Sequence, residues 1–342
     1  YAEKFGIVVE IMDGDTIAKP DPETNVEDID ETKKIRLEIL RRKPKILLTN
    51  FDFIHHRMWR KGTVNREFND LFKNIKFLVI DEIHKYEGMH ASQVHQIIQR
   101  MRRVYGKFTI IGASATIHDP KKFGGDLIGE PIEVINGKRR SGKLTLLILY
   151  PTKIGQKELM SDLTTKLLND KHRVLCFSNS RMAAEEIAIS VENKGGKIGV
   201  HRAGLLPDDR EKVENEFKAG SLYGISATPT LEVGINIGDL DAVVSEYVPY
   251  QTLKQRIGRA GREGQDAYGF LILNPNDPIS RFYYEHPDQY EFDNLDILLD
   301  PFNELIERIH IIFAAMDKPI ADTEVEKSKE EEKPAEYSFE VS

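Results

Sequence analysis

The chain has 342 residues, with 48 Lys and Arg against 56 Asp and Glu, and is 40% hydrophobic, 8% aromatic and 30% charged. That length suits roughly two domains, the composition excludes a disordered or fibrous chain, and no stretch approaches the ~20 consecutive apolar residues of a membrane span. The formal charge of -8 excludes attachment to nucleic acid by bulk charge alone; -5 of it sits in residues 321–342, with eight acids and three bases. Cys176 is the one cysteine, which excludes internal disulfides and zinc sites built on two or more cysteines. It fits a reducing, intracellular setting: cytoplasm, nucleoid or nucleus. The chain opens on Tyr1 without a basic and apolar leader, as expected of a fragment or processed product.

Short apolar runs alternate with helical patterns along the chain. Strands are expected at Gly6–Met12 and Lys45–Thr49 around a helix at Thr32–Arg41. Phe77–Ile80 and Phe108–Ser114 follow, around a helix at Ser92–Arg103. The second half reads as strands Leu144–Leu149, Arg173–Ser178, Lys197–Val200, Tyr223–Ala227, Asp241–Val244 and Tyr268–Leu273, with helices Gly155–Leu168, Arg181–Asn193 and Asp208–Lys218. Continuous rather than alternating apolar strands between helices point to an α/β fold of two parallel sheets, each covered on both faces. Polar breaks at Asn136–Lys143 and Asn274–Pro278 divide the chain into domains 1–140 and 141–278, a helical extension 279–320 and an acidic tail 321–342. The tail and Asp21–Glu31 hold too little apolar surface to offset ordering entropy, so a disordered tail and a surface loop are expected.

KFLVIDEIH puts Asp81 and Glu82 at the carboxyl end of an apolar strand, where open parallel sheets bind ligands. Two carboxylates there suit a Mg²⁺ ion on nucleotide phosphates and the orientation of an attacking water; a polar strand end turning into solvent has the same composition. About thirty residues on, Ser114-Ala115-Thr116 ends another apolar run, where hydroxyls can bond the neighbouring metal-binding loop. Gln255-Arg256-Ile257-Gly258-Arg259-Ala260-Gly261-Arg262 sets three arginines among small residues. On a helix Arg259 and Arg262 share a face, and two adjacent guanidiniums repel unless an anion, such as a terminal phosphate, lies between them. Upstream, Thr228 suits a phosphate contact or a helix cap before Pro229, and Asn236 suits a ribose or the coupling of two sites. Basic runs at Arg57–Lys61, Arg100–Lys107 and Lys138–Lys143 suit either a nucleic-acid backbone or a solvated surface. Trp59, inside the first run, suits base stacking or core packing; His90 and His95 are expected at a helix surface.

The order of these segments resembles the DExH group of superfamily 2 helicases. Leu47-Leu48-Thr49-Asn50 is similar to motif Ib, Asp81–His84 to motif II, Ser114–Thr116 to motif III and Phe177–Arg181 to motif IV. Ser226–Ile237 is similar to motif V and Gln255–Arg262 to motif VI, so the resemblance spans about residues 7–275. DGDT at Asp13–Thr16, Ile46–His56 and DEIHKYEGMHAS at Asp81–Ser92 resemble the Ski2-like DNA helicases that include the RecQ-four-like and mitomycin-repair proteins. Those relatives carry a cysteine-rich zinc region that Cys176 alone cannot supply.

The resemblance implies two RecA-like domains, the first incomplete at its N-terminus, binding ATP, Mg²⁺ and single-stranded or forked nucleic acid, with DNA and 3′–5′ movement favoured. Asp81 and Glu82 would serve the metal and water activation; Arg259 and Arg262 the γ-phosphate; Gln255, Gly234 and Asn236 the nucleotide. His84, Ser114 and Thr116 would couple the sites, while Thr49, Asn50, Arg181, Arg202 and Thr228 hold strand phosphates. A phosphate-binding loop, G-x-x-x-x-G-K-S/T, is absent from the 342 residues. It is therefore expected from upstream sequence or a partner chain, leaving this chain alone inactive, poorly soluble, or dependent on a tight partner. A Ski2-like RNA helicase and a non-catalytic nucleic-acid adaptor are the alternatives, with a metal-dependent nuclease a weaker one.

Overall fold

The computed structural model describes residues 2–14, 16, 29–114, 117, 119–137, 143–229, 240–258, 260–261, 265–292, 300–301 and 303–322. They fall into two units, one from residues 1–134 and 297–342, the other from 135–296. All ten expected strand segments are strands, and every pairing among them is parallel.

In the first unit, β1 (Val9–Ile11) pairs with β2 (Ile46–Leu48) and β3 (Phe77–Ile80) with β4 (Thr109–Gly112). Helices α1 (Ile29–Arg41) and α4 (Gly88–Tyr105) make the crossovers that parallel pairs require. With α2 (Phe51–Trp59), α3 (Thr63–Phe72) and α5 (Pro120–Ile128), they enclose a core in which Phe68, Val94, Ile98, Met101 and Leu127 are buried. Leu47, Leu78 and Ile110 point from the strands into this core. Period-two alternation puts Val9, Ile11, Ile46, Leu48, Phe77, Val79 and Ile111 on the other side, and all are exposed, Phe77 by 61% and Val79 by 64%. The sequence predicts a sheet covered on both faces; among the described residues only one face of this unit is covered.

Helix α11 (Glu304–Asp317) returns to this unit and packs on α4 and α2. Ile306, His310, Phe313 and Asp317 form its inward stripe. Arg100 of α4, 3% exposed, donates from Nε and Nη2 to the two Asp317 carboxylate oxygens at 2.7 and 2.9 Å, a bidentate pair. Its Nη1 lies 2.7 Å from His55 Nδ1, and His310 Nε2 reaches Gln93 Oε1 at 3.0 Å. Arg103 donates to the carbonyls of Ala314, Lys318 and Pro319, closing the helix C-terminus. The expectation of a surface patch at Arg100–Lys107 is thus corrected at Arg100, whose guanidinium meets a buried carboxylate, and Arg103 is engaged by the backbone of α11. Trp59 packs on Phe313 with ring centroids 5.5 Å apart.

Burial, reinforced by the Arg100 charge, pushes His55 down to about 4 and His310 to about 3. His56 and Arg60 add to the depression of His55, and Asp52 opposes it. Both rings are neutral when folded and take up protons more readily when unfolded, so stability is full above 6.5 and declines as pH falls. Burial lifts the Asp317 carboxyl while Arg100 holds it down, and any net rise opposes this trend towards the acid end. The urea midpoint followed by Trp59 fluorescence is expected to fall between pH 7 and about pH 5, and the fall to shrink in His55→Asn. An unchanged slope in that variant would remove His55 from the account.

The second unit holds one sheet in the order β5-β10-β9-β6-β8-β7. Its strands are β5 (Leu144–Leu149), β6 (Val174–Phe177), β7 (Ile198–His201), β8 (Gly224–Ala227), β9 (Ala242–Glu246) and β10 (Ala267–Ile272). Helices α6 (Gln156–Asn169), α7 (Arg181–Asn193), α8 (Pro207–Lys218), α9 (Tyr250–Ile257) and α10 (Pro278–Glu285) flank the strands in sequence. Every residue of β6 and β8 is buried, the pattern of central strands covered on both faces. Cys176 lies within β6, where burial pushes its thiol up to about 12 and makes it unreactive.

Candidate functional site

The described candidate residues lie at or beyond the carboxyl ends of strands, each unit carrying its own group. In the first unit, β3 is buried at Ile80 and the chain emerges at exposed Asp81. The Ala113 amide donates to the Ile80 carbonyl and the Ile83 amide to the Ala113 carbonyl, both at 2.9 Å, so the loop is zipped to the segment after β4. Gly112 permits this approach, because a Cβ there would lie 2.7 Å from Ile83 Cδ1. Glu82 is held at φ 49°, ψ 48°, left-handed backbone that a non-glycine residue adopts only when its surroundings impose it. Asp81 Oδ1 accepts from the Glu82 amide at 3.0 Å.

His84 is buried, with Nδ1 2.8 Å from Ser114 Oγ and 3.4 Å from Glu82 Oε2. Burial lowers its pKa against the opposing pull of Glu82, which favours the neutral ring at neutral pH. Its Nε2 and the hydroxyl of Thr49, at the end of β2, are buried without a hydrogen-bond partner. Asn50 caps α2, its Oδ1 accepting from the Phe53 amide at 2.8 Å. The structure thus brings Asp81, Glu82, His84 and Ser114 together. An exposed carboxylate with a second beside it fits a magnesium ion, which takes one or two carboxylates and completes its shell with phosphates and water. No group of three or more metal-ligating side chains exists among the described residues.

In the second unit Phe177, Ala227 and His201 are in register across β6, β8 and β7. Arg181, Thr228 and Arg202 follow these strand ends. Ser180 caps α7, accepting from the Ala183 amide at 3.1 Å, so Arg181 opens that helix. The Arg181 and Arg202 guanidiniums converge on Gly204, whose φ of +88° favours glycine and where a Cβ would lie 3.4 Å from each. Arg202 is held by Glu185, with Nε and Nη2 both 2.6 Å from Oε1. Thr228 is buried, its amide donating to the His201 carbonyl at 3.2 Å.

Gln255 is half-buried on α9. That helix stops at Ile257, and Gly258, Ala260 and Gly261 are in turns. Gly261 has φ +65°, and a Cβ there would lie 2.7 Å from the Gln265 carbonyl oxygen, a close backbone approach that glycine permits. Thr116, Gly234, Asn236, Arg259 and Arg262 lie outside the described residues.

The structure places three further residues. His95 is buried rather than at a helix surface, its Nδ1 3.0 and 3.1 Å from the Asp126 and Leu127 carbonyls of α5. Trp59 packs beneath α11. Arg256, which sequence reasoning left without a role, is 1% exposed. Its signal was its place in the stripe Leu253, Arg256, Ile257, Ala260, whose other members are apolar core.

Residues 16–123 match the DEAD/DEAH box helicase family and residues 156–264 the helicase conserved C-terminal domain, in the order the two units take. The chain belongs to the superfamily 2 helicases. It is 32% identical over 312 residues to the ATP-dependent helicase hrq1 of Schizosaccharomyces pombe, covering 83% of this chain and 29% of that protein. It is 30% identical to the ATP-dependent helicase YprA of Bacillus subtilis, covering 87% of this chain and 42% of YprA. Among solved structures, the DUF1998 helicase MrfA bound to DNA superimposes with a TM-score of 0.79 at 26% identity, covering 95% of this chain and 45% of MrfA. The helicase chain therefore spans less than half the length of these relatives, and both its units are RecA-like parallel sheets.

Proposed function

We propose that this chain carries most of the motor region of an ATP-dependent DNA helicase or translocase, moving 3′–5′ on single-stranded or forked DNA inside the cell, in repair. The observation that carries this is the Asp81–Glu82 pair, presented at the carboxyl end of a parallel strand by a constrained backbone and joined to Ser114 through His84. In this reading Asp81 ligates Mg²⁺ on the nucleotide phosphates and Glu82 orients the attacking water. Arg259 and Arg262 neutralise the γ-phosphate; Gln255, Gly234 and Asn236 contact the nucleotide; Thr116 joins His84 and Ser114 in coupling. Thr49, Asn50, Arg181, Arg202 and Thr228 hold backbone phosphates, contacts that carry no sequence information and so suit a translocating motor. MrfA, solved bound to DNA, favours DNA over RNA.

The bare apolar sheet face of the first unit supports the companion proposal that polypeptide outside these 342 residues covers it and brings the phosphate-binding loop. The test compares ATP hydrolysis by this chain alone with that of the chain joined to its upstream sequence, with oligo(dT) and oligo(U). Activity only in the joined protein, stimulated more by oligo(dT), is expected. Hydrolysis by this chain alone would refute the proposed source of the loop; stronger stimulation by oligo(U) would move the substrate to RNA.

A further inference from the structure

The basic run Arg57–Lys61 has no part in the sites above, yet its first member is held without a counter-charge. Arg57 stands four residues after Phe53 on α2, so its side chain folds back over that ring, with the guanidinium 4.6 Å from the centroid. Arg36 of α1 brings a second guanidinium to 5.5 Å from the same ring, and its Nε donates to the Thr16 carbonyl at 2.9 Å. Arg57 Nη1 donates to Asn65 Oδ1 at 3.0 Å, while its Nε is buried with no hydrogen-bond partner. No carboxylate pairs with Arg57 or Arg60 among the described residues. Burial, then the charges of Arg36 and Arg60, push Arg57 down to about 10, and no acid opposes them. Asp52, the acid of the first α2 turn, bears on His55, His56 and Tyr86 instead. Arg36 and Arg57 are both half-buried, which leaves each partly open to solvent. The Phe53 amide donates to Asn50 Oδ1, so the two guanidiniums flank a residue bonded directly to the end of the Thr49–Asn50 segment.

We infer that Arg57, together with Arg36, is a phosphate-binding site for the strand whose neighbouring phosphate Thr49 and Asn50 contact. The inference rests on the motor reading above and extends its strand path to α1 and the last turn of α2. Two guanidiniums beside one ring repel each other, and half-burial removes much of the water that would screen them. An oxyanion between them offsets that repulsion and gives the Arg57 fork an acceptor. A phosphate diester offers oxygens at the spacing a guanidinium matches. The nucleotide could supply the same chemistry; the strand is favoured because Phe53 is bonded to Asn50. Such a contact reads charge and position, not base identity.

The test measures oligo(dT) binding to the full-length protein by fluorescence anisotropy between about 50 and 200 mM salt, for Arg57→Gln, Arg57→Lys, Arg36→Gln and Asn65→Ala. Arg57→Gln is expected to weaken binding about tenfold at the lowest salt, the scale of losing a charged hydrogen bond. It is also expected to flatten the slope of log Kd against log salt by about 0.7, the share of one single-strand phosphate. Arg57→Lys keeps the charge and is expected to keep the slope, with a loss below about threefold. Asn65→Ala removes the Nη1 partner but no charge, so its slope is expected to match the wild type. KM for ATP is expected to stay within about twofold throughout. An unchanged slope in Arg57→Gln overturns the inference, even with a lowered thermal midpoint, and leaves Arg57 a brace between α2 and α3. A raised KM for ATP with that unchanged slope gives the site to the nucleotide and overturns the strand assignment. Should Arg57→Gln not fold, Arg36→Gln decides, and an unchanged slope there overturns the inference. A wild-type protein that does not bind oligo(dT) overturns the motor reading instead, and this inference with it.

Discussion

In the full-length protein, Glu82→Gln is expected to slow DNA-stimulated ATP hydrolysis by roughly 10²- to 10⁴-fold, the contribution of a positioned general base. Glutamine keeps the shape of the side chain and its capacity to bond, but not the carboxylate that accepts a proton from water. The backbone at Glu82 is left-handed for either residue, so the loop between β3 and α4 is expected to persist. His84, 3.4 Å from Glu82 Oε2, remains tied to Ser114. Binding of ATP and oligo(dT) should therefore change by less than about threefold, which separates lost chemistry from lost binding. Single-turnover hydrolysis beside fluorescence-anisotropy binding makes the measurement. A rate retained within about tenfold would assign water activation to another group.

Asp317→Ala is expected to destabilise the first unit by about 3–5 kcal/mol, since it leaves the Arg100 guanidinium buried without its carboxylate. Arg100 and Asp317 are 3% and 1% exposed at their side chains, so solvent screening relieves little of this. Pairing Arg100→Met with Asp317→Leu should recover most of the loss, because apolar residues of similar volume often replace a buried ion pair without penalty. Trp59 is the sole tryptophan and packs on Phe313 of α11, so its fluorescence reports this docking in urea. A loss below about 1 kcal/mol would mean that α11 is held by its apolar stripe rather than by the pair.

The strands and the carboxylate loop were legible because parallel sheets write themselves locally: central strands are apolar throughout, and the residues that meet ligands follow them directly. Val174–Phe177 is a case in point. Asp81, Glu82 and Ser114 needed only a strand end and a motif order to be found. The close backbone approach at Gly261 was not legible, since it depends on Gln265 folding back against it.

Sequence by itself determined the parallel α/β class, the strand positions, the superfamily 2 motif order and the carboxylate pair, all set by short-range hydrophobic period and chemistry. Tertiary structure alone decided that α11 crosses back to the first unit, that Arg100 and Arg256 are buried, and that one apolar sheet face of that unit is uncovered among the described residues. Those outcomes depend on which residues far apart in the chain meet. Arg100 finds Asp317 217 positions away and Arg256 finds Asn179 77 positions away. A local pattern reads an arginine as surface; only its distant partners make it core.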